Sequence, residues 1–242
     1  MTRSKRPKKG RMTESEELFH RFCKSQGWRV GRIGAAPGRK VPDFFVRLGN
    51  DAGIVVEVKQ FDPNTEEREV AEGKGSRVLG GKPGNRVRQV LTKANSQLKS
   101  LEGSHPGMVV LQNRTPCSLH DDPYAVLTAM HGMDVVRVPL DPSGGVGSLV
   151  RFGRYQQGPE AKLNPERNTS VSCIAVLREL FDGVPVPFGL GGPDPEHDLA
   201  VYHNPFAKLP LDPSRLVGSR VTHYRMNEDQ SLWEPVPCEP SR

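Results

Sequence analysis

Two apolar runs separated by a short polar turn mark the centre of the first half of the chain. Phe44 to Leu48 is aromatic and β-branched, Leu48-Gly49-Asn50-Asp51-Ala52-Gly53 has turn chemistry, and Ile54 to Val58 is a second β-branched run. This pattern predicts a β-hairpin. Upstream, Leu18, Phe19, Phe22 and Cys23 recur at helical spacing, so a helix is expected from about Glu14 to Gln26, ending at Gly27. Thr13 and Glu16 have the spacing of a capping box at its start. Trp28 to Ile33 reads as a short strand, and Gly34 to Lys40 as a basic glycine-containing loop.

Beyond the hairpin, Phe61 to Asn85 is polar and aperiodic, acidic at first and then rich in Gly, Lys and Arg. A loop of that length, attached to the end of a strand, is expected to serve a function such as closing over a substrate. Val87, Val90, Leu91, Ala94, Leu98 and Leu101 predict a helix over Arg86 to Leu101. Met108 to Gln112 predicts a buried strand, and Pro123 to Met130 another helix. Further strands are expected at Asp134 to Pro139, Ser148 to Tyr155, Ser170 to Leu177 and Leu199 to His203, either extending the central sheet or forming a flanking β-unit. The expected organisation is a disordered basic arm over 1–12, a core over 13–140, a β-rich extension over 141–225 packed on that core, and a loosely attached tail over 226–242.

Composition narrows the function classes. The apolar fraction is 35%, with Gly 25 and Pro 22, which implies long irregular connections. No apolar run approaches the ~20 residues needed to cross a bilayer, and no hydrophobic segment follows the basic N-terminus. A soluble, cytoplasmic protein without a membrane partner is expected. Cys23, Cys117, Cys173 and Cys238 are scattered without a Cys-x-x-Cys pair, which argues against structural zinc and a disulfide framework. The net charge of +6 is uneven: residues 1–11 carry six Lys and Arg and no acid, so the remainder is neutral. Within that remainder, Gly73 to Ser100 carries seven Lys and Arg and again no acid. Such a distribution suits a polyanion binder.

The chemistry-bearing residues sit at the hairpin. Side chains alternate along a strand, so Glu57 and Lys59 share one face while Val56 and Val58 take the other. Asp43, at the mouth of the neighbouring strand, comes within reach of the first face if the pairing is antiparallel. Pro42-Asp43 followed by Glu57-Val58-Lys59, in this setting of strands and helices, resembles the PD-(D/E)XK nuclease superfamily. The resemblance covers Thr13 to about Asn113.

It implies an α/β protein with a restriction-endonuclease-like αβββαβ core, a mixed central sheet and here a C-terminal β-rich extension. It also implies Mg²⁺, or Mn²⁺, bound by Asp43, Glu57 and the Val58 carbonyl, with Lys59 orienting or deprotonating the attacking water. Glu16, placed before Gly27-Trp28, fits the position of a first-helix glutamate that assists a second metal. It fits better than Glu17, although its capping-box role explains it equally well. The implied partner is nucleic acid, DNA in preference to RNA, held by Arg39, Lys40, Lys82, Arg86, Arg88 and Lys93. Gln97 or Lys93 is the candidate polar residue of the following helix. Oligomeric state is left open, a homodimer included.

Other chemistries find less support. Cys117 and His120 lack a nucleophile-elbow setting. His120-Asp121-Asp122 and Asp194 to Asp198 lie in turns that do not fix metal geometry, and no Gly-x-x-x-x-Gly-Lys loop occurs. The main alternative is a noncatalytic nucleic-acid-binding module that keeps the fold.

Overall fold

A computed structural model of the chain describes residues 11–34, 38, 40–48, 52–74, 82–101, 103–115, 117–132, 160–192, 194–228 and 232–237. The first helix, α1 (Glu14–Ser25), begins with the expected capping box: the Thr13 hydroxyl accepts from Glu16 N–H at 3.2 Å and Glu16 Oε2 from Thr13 N–H at 3.1 Å. Three strands follow, β1 (Arg29–Arg32), β2 (Phe44–Leu48) and β3 (Ala52–Phe61), paired antiparallel in sequence order. β3 runs past its predicted end at Val58, because β4 pairs it along the other edge.

The segment after β3, expected to be a loop throughout, contains helix α2 (Thr65–Ala71). Asn64 and Glu67 form a capping box there, with bonds of 2.9 and 2.8 Å. Two of the carboxylates read as loop charge, Glu66 and Glu67, lie in its first turn, where the helix dipole favours them. Helix α3 (Asn85–Leu98) then crosses back to β4 (Gly107–Asn113), which lies parallel to β3. Gly84 opens α3 at φ +72°, and a Cβ on it would collide with the Ala125 carbonyl of α4 (Pro123–His131). Only glycine suits that junction.

The remaining strands extend the same sheet. β5 (Cys173–Phe181) pairs parallel with β4, and the short β6 (Val184–Val186) folds back on it. β7 (Glu196–His203) pairs antiparallel with β5, β8 (Val221–Met226) parallel with β7, and β9 (Trp233–Val236) antiparallel with β8. The protein is thus α/β, with a mixed, open sheet of nine strands and four helices among the described residues. The stretch taken for a loose tail supplies β9, whose Trp233 packs on Tyr202 with ring centroids 5.0 Å apart. A single tryptophan among prolines gave too little periodicity to reveal it. The strands expected at Asp134 to Pro139 and Ser148 to Tyr155 lie outside the described residues, as does most of the basic arm.

Two apolar layers cover the sheet. α1 brings Leu18, Phe19, Phe22 and Cys23 onto Phe44, Val46, Val56 and Val58. Phe19 and Phe44 meet at a centroid distance of 5.8 Å. Burying each such side chain stabilises the fold by roughly 1.5–3 kcal/mol. On the opposite face, α3 and α4 bury Val87, Leu91, Ala94, Val126 and Met130 against Val55, Val109, Leu111 and Ile174. The alternation along β3 therefore assigns its even positions to the α1 layer and its odd ones, Glu57 and Lys59 included, to the α3 side.

Candidate active site at the divergence of β2 and β3

The β2–β3 ladder ends at Phe44, which pairs with Val56. One further backbone bond runs from Asp43 N–H to the Val56 carbonyl at 3.0 Å. The Asp43 side chain then takes over from the strand: its Oδ2 accepts from Val58 N–H at 2.8 Å. In a strand, N–H and C=O of one residue point to the same edge, so the Val58 carbonyl is turned toward Asp43 as well. Glu57 and Lys59 lie side by side on the α3 face, and the Lys59 ammonium contacts Glu57 Oε1 directly. Lys59 also donates to Gln97 Oε1 of α3 at 3.1 Å, and Gln97 Nε2 reaches the Val41 carbonyl at 3.4 Å. Residues far apart in sequence thus converge on one strand end.

The electrostatics are those of a crowded carboxylate pair, Glu57 buried and Asp43 half-buried. Glu57 has no exposed surface, and its Oε2 is buried without a hydrogen-bond partner. Burial, and then the Asp43 charge, push the Glu57 carboxyl up to about 8 despite the neighbouring Lys59. Burial also raises Asp43, against the Val58 N–H and Lys59, which hold it down. Glu16 stands close enough that, after burial, the Asp43 charge is the main influence raising its carboxyl. Its oxygen is nevertheless engaged by Thr13 N–H and lies 3.7 Å from Arg32. Glu17 is exposed and faces away, lining a separate cavity.

A buried polar bridge that sequence reading missed flanks the site. The Ser15 hydroxyl joins the Gln60 side-chain oxygen, at 2.6 Å, to the Gln112 side chain. These residues come from α1, β3 and β4, and only β4 lying parallel to β3 brings them together. No signal in the sequence pairs them.

The predicted phosphate contacts fare differently. Arg86 Nη2 donates to both oxygens of buried Glu67, at 2.8 and 2.7 Å, and Glu67 also accepts from His120 at 2.7 Å. Burial opposes ionisation of Glu67, but Asn64 N–H, His120 and Arg86 hold its carboxyl below the usual range. Arg88 is buried and donates to the Pro83 and Thr128 carbonyls, each at 2.7 Å. Both arginines therefore tie α3 to its neighbours, Arg86 to α2 on one side of the helix and Arg88 to α4 on the other. Lys82 pairs with Glu160 at 2.7 Å. Lys40 and Lys93 are exposed, and Arg39 lies outside the described residues. Arg88→Ala should leave two carbonyls unanswered and lower stability by roughly 2–4 kcal/mol. Its urea midpoint should fall while the salt dependence of nucleic-acid binding is unchanged. An altered salt slope would return Arg88 to the phosphate contacts.

One of the turn motifs, His120-Asp121-Asp122, is structural here. Asp121 accepts from Asn113 at 2.8 Å, and Asp122 caps α4 through Ala125 N–H at 2.6 Å. Among the described residues no group of three or more His, Cys, Asp or Glu is assembled for a metal. A cavity of about 750 Å³ lies between α1 and the β5–β7 end and includes none of Asp43, Glu57 and Lys59. Part of its charged lining is already paired, Glu14 with Arg114 and Glu196 with Arg220. No helix of the described residues is long and apolar enough to cross a membrane. Comparison with family models, curated proteins and solved structures finds no match to this chain.

Proposed function

We propose that the protein is a divalent-metal-dependent nuclease, hydrolysing phosphodiester bonds of nucleic acid, DNA in preference to RNA, on a restriction-endonuclease-like core. The order α1-β1-β2-β3-α2-α3-β4, an antiparallel meander and a helical crossover to a parallel fourth strand with α2 inserted, supports the core. The observation that carries the function is the Asp43–Glu57 pair beside Lys59 where β2 leaves β3, with Glu57 fully buried, Asp43 half-buried and Glu57 Oε2 without a hydrogen-bond donor.

A hard divalent cation such as Mg²⁺ fits this donor set: two carboxylates and a backbone carbonyl, all oxygen, with one carboxylate oxygen left orphaned. Asp43, Glu57 and the Val58 carbonyl would hold it, with Glu16 at the margin. When bound, it supplies charge neutralisation at the phosphate and a more acidic water. Lys59 presents an ammonium with three donors, two of them directed at Glu57 and Gln97. The third is available to a water or phosphate oxygen, and Gln97 fixes the direction in which it points. Charge placed in advance beside the developing phosphorane lowers the barrier without reorganisation.

The noncatalytic reading draws on one observation, the direct Lys59–Glu57 contact, which engages both groups internally. A panel of linear, nicked, branched and single-stranded DNA and RNA, incubated with Mg²⁺, Mn²⁺ or EDTA, tests the proposal. Cleavage of at least one substrate with metal and none with EDTA is expected. Binding without cleavage under every condition would leave the module reading.

A further inference from the structure

Resting on that function, we infer that the open face of β1 and β2 on the α3 side is the nucleic-acid floor, with Arg29 and Arg47 gripping the phosphate backbone. The register places Arg29 directly opposite Arg47 across the β1–β2 pair, and both are exposed. Like charges at directly opposed positions are destabilising in a sheet. Neither arginine has an acidic partner among the described residues, unlike Arg86, Arg114, Arg178 and Arg220. A polyanion laid across both would relieve the repulsion.

The neighbouring positions suit an extended ligand. Next along the same face come Gly31 and Phe45, paired with one another. A Cβ added at Gly31 would meet nothing within 4 Å, so the strand is open above it. The Phe45 ring lies across Gly53, where a Cβ would collide with it, and meets His105 at a centroid distance of 4.8 Å. Gly31 thus leaves space beside a half-buried aromatic ring and two guanidinium groups, the combination that holds nucleotides by stacking and charge. From Phe45 the face continues along β2 to Asp43, and Val55, opposite Phe45, precedes Glu57 by one step of the same face. The floor therefore leads into the candidate active site. Its far wall is α3, which packs on β3 and β4 and carries exposed Lys93 one turn before Gln97. Arg29, Gly31, Phe45 and Arg47, which form the floor, include no acid.

The test uses the full chain, a labelled DNA duplex and EDTA, with binding titrated between about 50 and 200 mM salt. The Arg29→Ala, Arg47→Ala double variant should bind about tenfold more weakly, and its log–log salt slope should be shallower by about 2, one unit for each lost phosphate contact. Gly31→Glu should abolish binding with an unchanged melting temperature, since its side chain projects into open space. Lys24→Ala, at an exposed position of α1 on the other face of the sheet, should leave the slope as it is. A wild-type slope in the double arginine variant, with Gly31→Glu still binding, would overturn the floor while leaving the nuclease reading intact. Failure of the unaltered protein to bind or cleave any nucleic acid would overturn both.

Discussion

Lys59→Ala is expected to bind substrate and metal nearly as well as the unaltered protein and to cleave several orders of magnitude more slowly. Asp43 and Glu57, which carry the metal in the proposed mechanism, remain in place, and Val58 N–H still fixes Asp43. What disappears is a donor aimed at charge that develops only in the transition state, and such a loss appears in the chemical step rather than in affinity. Lys59→Arg should not restore the rate. The ammonium sits between Glu57 and Gln97 in a space suited to a compact group, and a planar guanidinium neither fits there nor releases a proton near neutral pH. Asp43→Asn should abolish cleavage too, but with weakened metal binding, which separates the two roles. Single-turnover cleavage and equilibrium binding on the same proteins provide the measurement. If Arg recovers full behaviour, Lys59 is one phosphate contact among many and the module reading stands.

Without added metal, the protein should become less stable as the pH rises from about 5 to about 8. Glu57 in the folded protein releases its proton only near 8, whereas in the unfolded chain it does so near the ordinary value of 4.5. Between those values the native state holds the extra proton, so the unfolding free energy falls by about 1.4 kcal/mol per pH unit for this group. Asp43 and Glu16 are raised as well and act in the same direction at the lower end of the range. From pH 5.5 to 8 a loss on the order of 2–3 kcal/mol is expected, roughly 5–10 °C in melting temperature. Glu57→Gln, which cannot ionise, should flatten most of that slope and exceed the unaltered protein in stability at pH 8. Mg²⁺ should raise the melting temperature more at pH 8 than at pH 5.5, because the ligand must be deprotonated, and should do so weakly in Glu57→Gln. A flat pH profile in the unaltered protein would show that Glu57 is ionised in the apo state.

Periodicity and local chemistry were enough to place what lies close in sequence. The α1 stripe with its Thr13–Glu16 box, the hairpin around the turn at 48–53, the α3 stripe and the buried run of β4 were all legible, because each element carries its own apolar period and boundary residues. The same alternation put Glu57 and Lys59 on one face before any pairing was known. Other features needed the tertiary structure. Helix α2 was masked by its charges, which read as loop composition until its capping box and the Glu67–Arg86 pair gave them places. The strands of the second half left open whether they would extend the sheet, and their pairing with β4 decided it.

The basic residues show the division most clearly. Counting charge along the chain pointed to Gly73 to Ser100, yet Arg86 and Arg88 there are consumed by Glu67 and by backbone carbonyls. Arg29 and Arg47 stand 18 positions apart and drew no notice, because only strand register sets them side by side. A sequence determines which side chains share a face within one element, since that depends on the local period alone. Which charges remain for a partner is decided by contacts between elements, and those exist only once the sheet has formed.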